Sequence, residues 1–401
     1  MKREADYTIK GFIYQFNLTL LKILESNDDT EITVEGIIED IDLKDGSQVE
    51  AVQCKYHETQ EAYALSLFYK PILQMMVHYC KNNNQPVQYT LYAHLPNQKD
   101  EVKLTKDDLD KILKTNNPKL AKYVSQIDGS FDANNFLNHF KIEFGQSFDE
   151  LVKSTKNKLN SNNFDQSDID TLIYPNAINE IANYSIKHDA TQRIVTKISF
   201  LKALREIRKT AITKWTLSLK DYKKIIDTRK RQLKPNLDKN SRLRYFVIDE
   251  GSIEDFDQSI VTFISDYLEK FHYKPAHTHT PIFALDCEQT KFDEIRERLF
   301  KKGIRFRDGF TPSKVFDENY FYEAPITKEV SKKEIQREFS IRLLRYDPKN
   351  PILNHKPCDD LFIIAPQIYP ELHIEDLCIE QVNISKLQEL KYILGVSNAY
   401  E

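Results

Sequence analysis

The sequence predicts an α+β protein in three parts: a mixed α/β segment over 1–155, a basic helical segment over 156–240, and a second α/β domain over 241–401. Three observations carry this. A helical apolar stripe near the N-terminus is followed by short alternating runs separated by turn residues. From about 105 to 235 the apolar period is mostly helical, and after "LKPNLDKNSRLR" the alternation returns.

Residues 7–26, "YTIKGFIYQFNLTLLKILES", place Ile9, Phe12, Ile13, Phe16, Leu20 and Ile23 at helical spacing, which predicts an amphipathic helix. "EITVEG" (31–36), "IIEDIDL" (37–43) and "VEAVQCKY" (49–56) alternate and are β-branched, with "KDGSQ" as a turn. Residues 60–82 read as a helix ending at "KNNNQP", and "VQYTLYAHL" (87–95) as a further strand. The predicted order over the first hundred residues is α-β-β-β-α-β. The polar run "KSTKNKLNSNNFDQSD" (153–168) marks a boundary candidate. In the last segment strands are predicted at 245–249, 281–286, 304–310, 339–346 and 361–366, with helices over 253–271 and 290–302.

A hydrophobic content of 40% supports real cores, and no run approaches the ~20 apolar residues of a membrane span. The start "MKREADYTIK" has no apolar segment of a signal peptide, and the five cysteines are scattered without CxxC spacing. A cytoplasmic protein with no membrane partner is expected. The charge of −4 is uneven: residues 201–244 hold 15 Lys and Arg against Glu206, Asp221, Asp227 and Asp238, a net +11 that leaves −15 elsewhere. That asymmetry points to an anionic partner, nucleic acid or an acidic protein surface. Arg205, Arg208, Lys209, Lys223, Lys224, Arg229, Lys230 and Arg231 lie among apolar residues at helical spacing and are the candidate DNA contacts. A solvated helix face is the competing account.

Alternation places Gln53, Lys55 and His57 on one face of their strand. If it pairs with "EDIDL" through a four-residue loop (45–48), residue 40 lies opposite 53, so that Asp40 sits beside Gln53 and Lys55. A carboxylate and an amide oxygen are hard ligands for Mg2+ or Mn2+, which retain waters and bridge to phosphate. An ammonium next to them can orient the attacking water and offset charge on the phosphate. The three residues have the chemistry of metal-assisted phosphodiester hydrolysis. A cross-strand ion pair on a solvated edge is the bland alternative.

The arrangement D-(spacer)-(D/E/Q)-x-K within α-β-β-β-α-β order resembles the PD-(D/E)xK restriction-endonuclease-like superfamily. With "GFIYQ" (11–15), "VEGIIEDIDL" (34–43) and "VQCKYHE" (52–58) included, it resembles the double-stranded DNA endonuclease domain of bacterial anti-phage effectors of the CBASS and Lamassu type. The resemblance covers roughly residues 5–100. It implies that Asp40 is the metal-binding aspartate, Lys55 the motif lysine, and Gln53 stands where most members have an acid. It also implies that Gln15 lies near the site and Glu35 is an extra acid, while His57 is an accessory residue or an ordinary strand histidine. By the same resemblance the rest of the chain holds the nuclease inactive, senses a signal or docks onto a separate SMC-like or HerA-like ATPase, or the chain self-associates. The alternative is an inactive DNA-binding or scaffold subunit. No phosphate-cradling glycine loop occurs, and "HTH" (277–279) between Pro275 and Pro281 reads as a loop.

Overall fold

The computed structural model describes residues 2–398 apart from 37, 59, 61–62, 83–86, 99, 128, 130, 332–333, 349–357, 370–371 and 373–376, with the backbone alone given for 2–7, 331 and 334. It is a mixed α/β protein of two compact units, Met1–Arg208 and Lys209–Glu401.

The first unit begins α1 (Lys2–Glu25), β1 (Glu31–Val34), β2 (Ile41–Asp45), β3 (Gln48–Tyr56), α2 (Tyr69–Lys81), β4 (Val87–His94), the order read from the pattern. With β5 (Phe140–Phe144) and β6 (Ile194–Val195) the strands form one sheet, β5-β4-β3-β2-β1-β6. Pairing is antiparallel from β3 through β2 and β1 to β6 and parallel from β3 through β4 to β5. One face packs Ala51, Tyr89, Leu91 and Ala93 against Ile72, Leu73, Met75 and Met76 of α2. The other receives α1, whose Tyr14 ring lies 4.6 Å from Tyr56 and 6.4 Å from Tyr92, centroid to centroid.

Every residue of α1 from Phe16 to Leu20 is buried, including Asn17 and Thr19. An amphipathic helix on a sheet would bury one stripe, so α1 has cover on its outer side as well. The helices Phe148–Ser161 and Tyr174–Ser185 supply it: Phe148 stacks near Tyr14 at 6.4 Å, and the Tyr174 hydroxyl donates to Asn17 Oδ1 at 3.0 Å. The expected division after 155 therefore falls inside a helix, and the helical residues to 208 belong with the first unit.

The second unit takes in the helix Tyr222–Leu237 and an all-parallel sheet. Its strands are β7 (Arg244–Asp249), β8 (Ile282–Asp286), β9 (Phe306–Arg307), β12 (Ile341–Arg345), β13 (Asp360–Ile364) and β14 (Cys378–Gln381), in the order β14-β13-β7-β8-β12-β9. The hairpin β10 (Thr327–Ser331) and β11 (Glu334–Arg337) is separate. The central strands are buried throughout, as continuous apolar runs such as "YFVI" and "IFAL" require when helices cover both faces. Phe246 stacks between Phe283 and Phe362 at 4.8 Å from each.

Candidate functional site

The site is built on the hairpin β2–β3 and the turn that leads into it. Asp45 pairs with Gln48, so the loop is Gly46-Ser47, two residues where four were expected. Gly46 has φ +60°, the left-handed value that the first central position of a tight hairpin turn demands and glycine adopts without penalty. The register is unchanged by the shorter loop. Ile41 lies opposite Val52, and the next rung faces Asp40 with Gln53.

Residues 38–40 fold back on Asp42 before β2 begins. The Asp42 Oδ2 accepts from Ile38 N at 2.9 Å and its Oδ1 from Glu39 N at 3.1 Å. Gly36 leaves room for it, since a Cβ there would stand 2.4 Å from the Asp42 carboxyl carbon. Glu35 enters the turn at φ 50°, a conformation that costs a non-glycine residue and persists when its surroundings enforce it.

Asp40 Oδ2 accepts from the Gln53 side-chain amide and from Cys54 N, the latter at 2.8 Å. Gln53 is 5% exposed, while Asp40 and Lys55 are half-buried. Lys55 shares the Gln53 face of β3 by alternation, and its ammonium acts electrostatically on Glu35, Glu39 and Cys54. Gln15 Nε2 donates to Glu35 Oε1 at 2.7 Å, bridging α1 to the turn. Burial first and Asp40 second raise the Glu35 carboxyl above its ordinary range, against the Gln15 hydrogen bond, Arg193 and Lys55. His57 is half-buried and follows the last residue of β3, its ring edge-to-face with Phe68, with burial and then Lys55 holding its pKa down. Its backbone N–H donates to His94 O at 3.0 Å.

One acid was missed in the sequence. Glu39 is 8% exposed, and its Oε1 has no hydrogen-bond partner among the described residues. Burial, then Asp40, push its carboxyl up to about 8, with Lys55 opposing. Alternation gives no warning of this, because residue 39 lies in the turn before β2 begins. Among the described residues no cluster of three or more His, Cys, Asp or Glu is arranged around one metal position. The oxygen donors present, Asp40, Gln53 and the unpartnered Glu39 carboxyl, suit a hard cation that keeps waters and shares a phosphate.

The basic segment is divided between the two units. Arg205 and Arg208 end the first unit, where Arg205 donates to Asn162 O at 3.4 Å and Arg208 to Arg205 O at 2.6 Å. Lys209 pairs with Glu380 at 2.8 Å in the second unit. Arg229 is 3% exposed and pairs with Glu380, itself 3% exposed, so it is a core residue and unavailable to DNA. Lys230 lies 3.8 Å from the Tyr392 ring centroid and Lys224 pairs with Asp221 at 3.5 Å. Lys223 and Arg231 are exposed. The "HTH" segment is a loop, in which His277 is buried and its carbonyl accepts from Arg337.

No protein-family model matches the chain, and no curated protein matches it.

Proposed function

We propose that the chain is a divalent-metal-dependent endonuclease of double-stranded DNA with a restriction-endonuclease-like core, acting as an effector subunit of an anti-phage system. The observation that carries this reading is the contact of Asp40, the residue just before β2, with Gln53 of β3, with Lys55 on the Gln53 face of β3. The element order α-β-β-β-α-β, with an antiparallel hairpin running into a parallel pair, supports it.

In this reading Asp40 and Gln53 hold Mg2+ or Mn2+, with the Gln53 amide turned so that both residues present oxygen. Such a cation would supply Lewis-acid polarisation of a phosphoryl oxygen and activation of water. Lys55 orients the attacking water and offsets charge as it builds on the phosphate. Gln15 steadies Glu35 at the rim. The second unit is the regulatory or partner-docking part, the partner being an SMC-like or HerA-like ATPase or a second copy of the chain, in the cytoplasm.

A second reading has a specific basis. Gln53 brings no charge and its amide N–H already occupies Asp40, an arrangement equally suited to an inactive DNA-binding subunit. Plasmid incubated with Mg2+ or Mn2+ separates the two. Cleavage by the parent that falls at least ~100-fold in Lys55→Ala and Asp40→Asn supports the nuclease. Duplex retained by the parent and by Lys55→Ala alike, with no nicking in either metal, supports the binder.

A further inference from the structure

β6 pairs with β1 in the register Thr33 to Ile194, so the next rung sets Arg193 beside Val34, one residue before the Glu35 turn. The chain thus returns, after the whole helical stretch that covers α1, to deliver an arginine to the rim of the candidate site. Its guanidinium acts on Glu35, lowering the pKa that burial and Asp40 raise. Nevertheless the two form no ion pair, and the Glu35 carboxylate is engaged by Gln15.

Among the described residues no hydrogen bond or ion pair takes up the Arg193 donors; its Nε is shut off from solvent, so the terminal Nη1 and Nη2 groups are the ones left for an outside acceptor. Neighbouring cations on the same edge are already engaged. Lys187 donates to Gln192 O at 3.1 Å, and Lys197 donates to Ser26 O at 3.3 Å and faces Asp28 at 3.8 Å.

We infer that Arg193 is a backbone-phosphate contact of this site, its planar fork taking non-bridging oxygens of the DNA strand where it passes Glu35. The inference rests on the nuclease reading above. Each phosphate brought beside the Asp40 carboxylate needs a cation with unspent donors. Arginine meets a phosphate with two parallel N–H groups, which a point-charge ammonium does not.

The test uses the full chain and a short labelled duplex, with Ca2+ replacing Mg2+ or Mn2+ to hold cleavage off. Anisotropy is read over a salt series for the parent, Arg193→Gln and Arg193→Lys. The expected result is an affinity roughly tenfold weaker in Arg193→Gln, with a log–log salt slope smaller by about one. Arg193→Lys is expected to keep the parent slope while losing part of the affinity, and it carries the test if Arg193→Gln does not fold. An unchanged affinity and slope in both variants overturns the inference. If that parent still cleaves plasmid in a Lys55-dependent way, the nuclease reading survives and only the Arg193 assignment fails. A parent that binds no duplex overturns both.

Discussion

Arg229 has the sequence pattern of a DNA contact and the surroundings of a core residue. Its neighbours Lys230 and Arg231 suggest a basic face, yet one step along the helix turns residue 229 inward to Glu380. Burial is the largest influence on its guanidinium and lowers its pKa, while Glu380 opposes. Two of its nitrogens, Nε and Nη1, find no acceptor among the described residues, so the pair is costly to assemble and more costly to break. Arg229→Ala should therefore destabilise by roughly 3 kcal/mol, since Lys209 remains to compensate Glu380 in part. Urea unfolding checks the loss. Duplex affinity per folded molecule should match the parent, in contrast to substitution of the exposed Lys223 and Arg231.

At the scale of elements, the turn 35–40 decides whether the site exists. The chain between β1 and β2 folds back on Asp42, and it brings Glu35 to Gln15 of α1 and Asp40 to Gln53 and Cys54 of β3. The Asp42 carboxylate accepts from two backbone N–H groups, beside the Gly36 N to Asp40 O bond at 3.4 Å. Gly36→Ala puts a Cβ against that carboxylate, which the N–H groups of Ile38 and Glu39 hold in place. A loss of about 1–3 kcal/mol is expected by thermal unfolding. Metal-dependent cleavage should fall further than stability, because displacement of Asp40 by about 1 Å is enough to misplace a catalytic group.

For the whole molecule, the pH range of stability is set partly in the second unit. His272 is fully buried at the end of the helix Phe256–Phe271, and burial, then Arg337 and His277, hold its pKa down from 6.5 to about 3, against a small pull from the His279 backbone. The unfolded chain takes a proton there below about pH 6.5, whereas the folded chain refuses it until about 3. The contribution of His272 is thus fully present above 6.5 and lost progressively as pH falls toward 3. His272→Leu should flatten that decline, narrowing the difference in unfolding free energy between neutral pH and about pH 4.5 by roughly 2–3 kcal/mol. Denaturant unfolding at the two pH values measures it.

By itself the sequence determined the order of elements over the first hundred residues, the strands β7, β8, β9, β12 and β13 of the second unit, and the facing of residues 40 and 53, whereas the short strands β5, β6, β10, β11 and β14 went unread. Apolar period, turn chemistry and strand alternation are properties of a few neighbouring residues, and they survive whatever packs against them. Even an error of two residues in the hairpin loop left the register intact, because Val49, Ala51 and Gln53 must keep one face toward α2. Only the tertiary structure decided which charges lose their water. Glu39 and Arg229 look solvated in the chain and are buried by elements far from them in sequence. The helices after residue 148 belong with α1 because that helix is covered on more than one side, and Arg193 reaches the site because a two-residue strand closes the edge of the sheet. Burial and electrostatic neighbourhood are set by surfaces brought together over the whole chain, and no local pattern records them.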